Sequence, residues 1–234
     1  MNIRRWLVSA VLVAALGTIV HRPTFAADDI EARLRRAREV YRELIQTPDR
    51  QIPQALQDQC KCVAVFPHVV KAAFGVGGRY GKGVVSCRTE AGLWSPPAPF
   101  TLAGGSWGFQ IGAEAADVVL FFMTDHGAKS LLESKFTLGA SAALAAGPEG
   151  RAAEAETDIK LNAEIYSYAR AKGLFAGLSL DGARLSLDPN ATQQLYGQPI
   201  DARTILFEHK TPKLSKAAEE FIATLPTRSS GTER

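Results

Sequence analysis

The sequence predicts an α+β fold: a single domain with a mainly antiparallel, twisted or barrel-like sheet and flanking helices. Three observations carry this. An amphipathic helix pattern precedes the strands, over Asp28–Ile45. Short strand patterns then follow one another, separated by glycine-rich turns such as Ala91-Gly92 and Asp181-Gly182. Helical patterns return near the C-terminus, without the regular βαβ alternation of a doubly wound fold.

The ends of the chain bear on its compartment. Arg4 and Arg5 precede the apolar run Trp6–Val20, and Thr24-Phe25-Ala26 places small residues at −3 and −1 of a cut after Ala26. Residues 1–26 therefore read as a secretory signal peptide. The run is shorter than the ~20 residues of a spanning helix, although an uncleaved N-terminal anchor is the alternative. The expected location is across the inner membrane, in the periplasm, peripheral on a membrane surface. The chain has 234 residues and a formal charge of +3, from 27 basic and 24 acidic residues. Arg4, Arg5 and Arg22 fall in the leader, which has no acid, so the remaining 24 basic and 24 acidic residues balance. Global charge thus gives no support for a nucleic-acid partner. The chain beyond the leader is long enough for one domain with a real core.

The expected organisation is an amphipathic helix within 27–50, a folded domain over 51–225 and a disordered tail over 226–234. In the helix, Ile30, Leu34, Ala37, Tyr41 and Leu44/Ile45 form one apolar stripe. Thr47-Pro48-Asp49 stops it, and a short helix starts at Pro53. Cys62–Phe66 reads as a strand ended by Pro67, with His68–Phe74 a turn or connection. Gly78–Arg88 and Val118–Met123 are further strands, and Asp125–Ser134 is a short helix capped by Asp125. The three prolines of WSPPAPF argue against a central strand there. Phe136–Ala146 fits strand or helix. Leu174–Leu180 and Ala183–Leu187 flank Asp181-Gly182 and read as a hairpin. Asp201–Phe207 and Ser215–Leu225 read as helices.

Several chemical motifs can be tested on their own letters. FGVGGRYGKGVV (residues 74–85) contains Gly81-Lys82 but neither the earlier glycine nor the following Ser/Thr of a phosphate-binding P-loop. Its glycines alternate at period two, which in an extended segment leaves a bare face for close packing or a bend. Arg79 and Lys82 then remain as anion contacts. Gly104-Gly105-Ser106-Trp107-Gly108 matches the GxSxG nucleophile elbow, with Asp201 and His209 in the chain order of a hydrolase triad. The flanking glycines and prolines do not supply the strand–turn–helix that an elbow requires. Asp117 and Glu114 form the nearest thing to a carboxylate pair.

The three cysteines are Cys60, Cys62 and Cys87. In an exported chain they suggest one disulfide. Cys60 and Cys62 share a face if their segment is a strand, so either can meet Cys87 and leave one thiol over. A zinc site from the three with His68 is the alternative, but no CxxC pair supports it. No metal or other cofactor is expected.

The first helix is the best physical candidate for binding. Arg33, Arg35, Arg36, Arg38 and Arg42 flank its apolar stripe, so the stripe can enter a lipid interface while guanidinium groups hold phosphates. The competing reading is that the stripe packs on the domain itself.

The run IPQALQDQCKCVAVFPHVVKAAFGVGGRYGKGVVSCR, then GLWSPPAPF, GFQIGAEAADVVLF, LGASAALAAGPEGR, YSYARAKGLFAGLSLDG and LYGQPIDARTIL, resembles the SYLF family of lipid-binding domains over roughly Ala32–Leu225. That resemblance implies an α+β domain that binds phospholipids or phosphoinositides and has no enzymatic activity. It points to the five helix arginines as lipid contacts; Lys71, Arg79 and Lys82 are expected to assist them as further anion contacts. The chain departs from many bacterial members in lacking a lipid-attachment cysteine, and its three cysteines stand where the family has small or aliphatic residues. The resulting expectation is a non-enzymatic protein on an anionic phospholipid surface of the cell envelope. The alternative is an envelope scaffold that binds proteins instead, with partners the sequence does not name.

Overall fold

The computed structural model describes residues 29–46, 52–74, 76–107, 112–148, 163–171 and 174–227. The leader, the Ala-Glu repeats after Ala152 and most of the tail lie outside them. Among the described residues nine strands form one sheet: β1 (Cys62–Phe74), β2 (Val76–Cys87), β3 (Ala98–Trp107), β4 (Gly112–Phe122), β5 (Phe136–Thr137), β6 (Leu144–Ala146), β7 (Ile165–Ala171), β8 (Leu174–Gly177) and β9 (Arg184–Leu187). The order is β5-β9-β3-β2-β1-β4-β7-β6, with β8 also on β7. Every pairing is antiparallel except β6 with β7. The helices are α1 (Ile30–Gln46), α2 (Gln54–Gln59), α3 (Asp125–Ser130), α4 (Pro189–Tyr196), α5 (Ala202–Leu206) and α6 (Lys216–Ile222).

The sheet curls into a half-barrel. Phe136 of β5 and Phe122 of β4 stand far apart in strand order, yet their rings lie 6.3 Å apart. The curl encloses one core, in which Phe66, Phe100, Phe122, Phe136, Leu185 and Ile205 are fully or almost fully buried. A second core lies on the outer face, where α1, α2 and α6 cover Val63, Val65, Val84, Val119 and Phe121. Phe121 anchors it, with Tyr41 of α1 at 6.4 Å and Tyr168 of β7 edge-on at 5.9 Å. Each such ring contributes about 1.5–3 kcal/mol by leaving water.

The glycines of β2 permit the curl. A Cβ at Gly83 would sit 2.2 Å from the Val65 carbonyl oxygen and 2.5 Å from Phe66 Cδ1. A Cβ at Gly81 would sit 2.6 Å from Val69 Cγ2. The glycine-rich stretch is thus strand, packed hard against β1.

The apolar stripe of α1 is part of the outer core. Ile30, Leu34, Ala37, Val40, Tyr41 and Leu44 are all buried, and the helix packs on α6, α4, β1 and β2. Asp29 caps it, its carboxylate accepting from the Glu31 N–H at 3.0 Å. The helix does not hold its stripe free for lipid. Among the described residues no helix is long and apolar enough to cross a membrane.

Several expectations are corrected. β1 does not end at Pro67 but continues to Phe74 through a bulge. WSPPAPF leads directly into a central strand, with Pro99 its second residue. The proline is tolerated because β9 pairs with β3 only as far as Phe100; beyond that, the Asp188 N–H donates to the Pro99 carbonyl at 2.9 Å. Asp181-Gly182 does make a turn, with Gly182 at φ 75° and the Ala183 N–H donating to Leu180 O at 3.0 Å. Its flanks, however, do not pair with each other: β8 joins β7, whereas β9 joins β3 and β5. Thr124, not Asp125, caps α3. The ambiguous 136–146 segment is two short strands around a turn.

Candidate functional site

The bulge in β1 organises the functional surface. Before it, Cys62, Ala64 and Phe66 face the interior; after it, Val69 does. One extra residue therefore reverses the alternation. His68 takes a left-handed φ of 58° at this point, and its N–H donates to the Asp117 carboxylate at 2.9 Å. Beyond the bulge Val70 points outward, and Lys71 points to the interior side.

Outward lies a hollow of about 510 Å³ between α1 and the β1–β2 ladder. Arg33 and Arg36 line it from α1, Pro67, His68 and Val70 from the bulge, and Tyr80 and Lys82 from β2. Tyr80 is half exposed, at 50%. Arg36 is exposed, while Arg33 forms the inner wall at 1% exposure. The Arg33 guanidinium donates through Nη2 to Asp188 Oδ2 at 3.1 Å and through Nη1 to the Gly83 carbonyl at 3.4 Å. Burial pulls its pKa below the usual arginine value, and the Asp188 hydrogen bond and charge oppose that shift. Lys82 Nζ lies 4.0 Å from the same carboxylate. Among its described lining residues the hollow thus carries three cationic side chains and no acid, with Arg33 and Lys82 at the Asp188 carboxylate behind it, and is electropositive.

The other residues expected in lipid contact are dispersed. Arg35 is exposed and pairs with Asp29 at 3.6 Å, and Arg42 is exposed further along α1. Arg38 is drawn to Glu220 of α6, which fastens the helix to the domain. Lys71 and Arg79 face each other in register on the interior side and border a second cavity. The arginine set is therefore divided by role: Arg33 and Arg38 hold α1 down, while Arg35, Arg36 and Arg42 face solvent.

Cys62 and Cys87 are partners in the β1–β2 register and form a disulfide, leaving Cys60 buried with a free thiol. The disulfide consumes two of the four ligands of the zinc alternative. No cluster of metal-ligating side chains occurs among the described residues. Ser106 lies within β3, paired with Gly77, and not at a strand-to-helix turn. Asp201 caps α5 by accepting from the Thr204 N–H at 2.8 Å, which holds its carboxyl below the usual range. Glu114 and Asp117 fall on opposite faces of β4. Asp117 binds His68 and Arg170, and Arg170 also pairs with Glu43 of α1.

Sequence reasoning missed Tyr80 and Asp188, and weighed His68 only as a zinc ligand. Tyr80 was within reach, because it shares a strand face with Lys82 two residues on. Asp188-Pro189 is also an ordinary helix-start signal. His68 carries no signal, since its place depends on a bulge set by strand register.

A family profile described as Las17-binding protein actin regulator matches residues 103–228. The chain is 32% identical to human SH3 domain-containing YSC84-like protein 1 over 199 residues, covering 82% of this chain and 58% of that protein. It is 36% identical over 162 residues to the Xenopus laevis protein of the same name, covering 68% and 48%. It is 35% identical over 161 residues to LAS seventeen-binding protein 3 of Saccharomyces cerevisiae, covering 68% and 35%. The chain thus spans about half or less of the length of most of these curated relatives.

Proposed function

The chain belongs to the SYLF family, that of the Ysc84-like and LAS seventeen-binding proteins, and from that membership we propose that it binds anionic phospholipid on a membrane surface of the cell envelope, without catalysing a reaction. One observation carries the reading: the electropositive hollow formed by Arg36, Lys82 and Tyr80 beside the docked α1. A guanidinium fork holds phosphate oxygens bidentately, and a lysine ammonium adds a point charge. Tyr80 at the rim offers an apolar ring with a polar tip, as suits a headgroup layer. A phosphoinositide, with more than one phosphate, presents a phosphate to each of the two cations. The exposed Arg35 and Arg42 extend the basic surface along the helix. Because the apolar stripe is already buried, attachment is electrostatic and weakens with salt. The cross-strand disulfide supports an oxidising compartment such as the periplasm.

The test is sedimentation with phosphatidylcholine vesicles carrying or lacking a phosphoinositide, at low and high salt. The wild type pellets with charged vesicles at low salt only, and Arg36→Glu/Lys82→Glu stays in the supernatant while melting like the wild type. Equal pelleting of that variant removes the hollow from the mechanism, and no pelleting at any salt ends the membrane reading. The second reading, a protein-docking scaffold, rests on the yeast relative's name as a LAS seventeen-binding protein. A folded chain that ignores every vesicle would favour it.

A further inference from the structure

We propose that the interior of the half-barrel holds a second, separate site, for the hydrocarbon chain of a single-chain fatty-acid carboxylate, with its head group at Arg79. A cavity of about 440 Å³ lies on the side of the β1–β2 ladder opposite the α1 hollow. It falls within the ~300–1,000 Å³ range of small-molecule sites. Its wall is apolar: Val69, Val118, Ala169 and Leu180 belong to the inner core, and Ala116 packs on that core. Small side chains at 116, 169 and 176 leave the space open. Leu178 stands at its edge, unusually exposed for a leucine.

Among the described residues, the charged side chains that line the cavity are Lys71, Arg79 and Glu114. Lys71 is the register partner of both Arg79 on β2 and Glu114 on β4. Arg79 is tethered by Nη1 to the Ser179 carbonyl at 3.4 Å. Its Nε is buried without a hydrogen-bond partner among the described residues. A buried guanidinium N–H without an acceptor is costly, and a carboxylate oxygen would satisfy it. An apolar wall with the Arg79 Nε–H at its border complements a fatty-acid carboxylate. A two-chain phospholipid would need more room, and a neutral chain would leave the Arg79 N–H unmet.

The test uses the full chain and cis-parinarate fluorescence, with displacement by palmitate or by hexadecanol. The wild type binds one parinarate saturably, and palmitate displaces it better than hexadecanol. Ala176→Trp fills the cavity and abolishes binding without deleting a core side chain. Arg79→Gln weakens palmitate about tenfold, the equivalent of one lost charge-assisted hydrogen bond, and leaves hexadecanol unchanged. Arg36→Glu/Lys82→Glu binds parinarate like the wild type, which separates this site from the headgroup hollow. Non-saturable uptake, undiminished binding in a folded Ala176→Trp, equal displacement by palmitate and hexadecanol, or loss of binding in the α1-hollow variant would each overturn the proposal.

Discussion

Arg33 of α1 and Asp188 at the head of α4 form a buried ion pair, with Nη2 and Oδ2 at 3.1 Å and 155 positions between them in sequence. Asp188 also caps α4, accepting from the Ala191 N–H at 3.1 Å. One carboxylate thus fixes the start of one helix and the seat of another. Asp188→Asn keeps a competent cap while removing the charge that balances Arg33. Breaking one side of such a pair costs about 3–5 kcal/mol. Denaturant unfolding should show that loss for Asp188→Asn, and a smaller loss than the summed singles for Arg33→Met/Asp188→Asn. Additive losses would mean the two side chains are not coupled.

Gly83 and Gly105 should respond oppositely to alanine. At Gly83 the new methyl meets the Val65 carbonyl oxygen and Phe66, whereas at Gly105 it meets nothing within 4 Å. Gly83→Ala should therefore cost roughly 1–3 kcal/mol by overpacking. Gly105→Ala should gain up to about 1 kcal/mol by stiffening the unfolded chain. Thermal melts of the two variants beside the wild type decide this.

Thiol counting reads the cysteine arrangement. Burial pushes the Cys60 thiol up to about 12, partly offset by Arg88, and its Sγ donates to Gln57 O at 3.2 Å. Ellman's reagent at neutral pH should find no reactive thiol in the native protein. It should find one in denaturant, and three after reduction of the Cys62–Cys87 bond. Reduction should cost roughly 3 kcal/mol, as expected for closing a loop of this length.

Glu164 makes stability depend on acid. Its carboxylate accepts from the Ala143 N–H at 2.8 Å, from Thr124 Oγ1 at 3.1 Å and lies 2.7 Å from His126 Nδ1. The Ala143 hydrogen bond leads in lowering its pKa. A depressed carboxyl stabilises the fold above its ordinary titration range and ceases to do so as pH falls through the folded-state value. Glu164→Gln should therefore melt lower than the wild type at neutral pH, and the two melting curves should converge in acid. A gap that persists in acid would assign the loss to packing.

The α1 stripe was legible because helical periodicity records which side is buried, though not whether protein or lipid buries it. The extended reading of the glycine stretch was legible for the same reason at period two. The continuation of β1 was not, since Pro67 ordinarily ends a strand and a bulge leaves no local signature. The Asp181-Gly182 turn was legible, but its flanks' destinations were not: a turn fixes direction over a few residues, while pairing depends on how far the sheet has curled. The basic residues were visible one by one. Their division between the two faces of the ladder depends on strand parity, which only the register supplies.

That parity hangs on a single position. If β1 ran through Pro67-His68 as regular strand with no residue bulged out, the alternation would continue unbroken from Cys62, and Val70 and Lys71 would exchange sides. The basic hollow beside α1 and the apolar cavity behind it would each receive the wrong side chain, with not one residue changed. In this half-barrel the bulge sorts the two faces: it absorbs the one residue by which Pro67-His68 exceeds Asp117 opposite, and a chain lacking that residue would pair flat with the same faces.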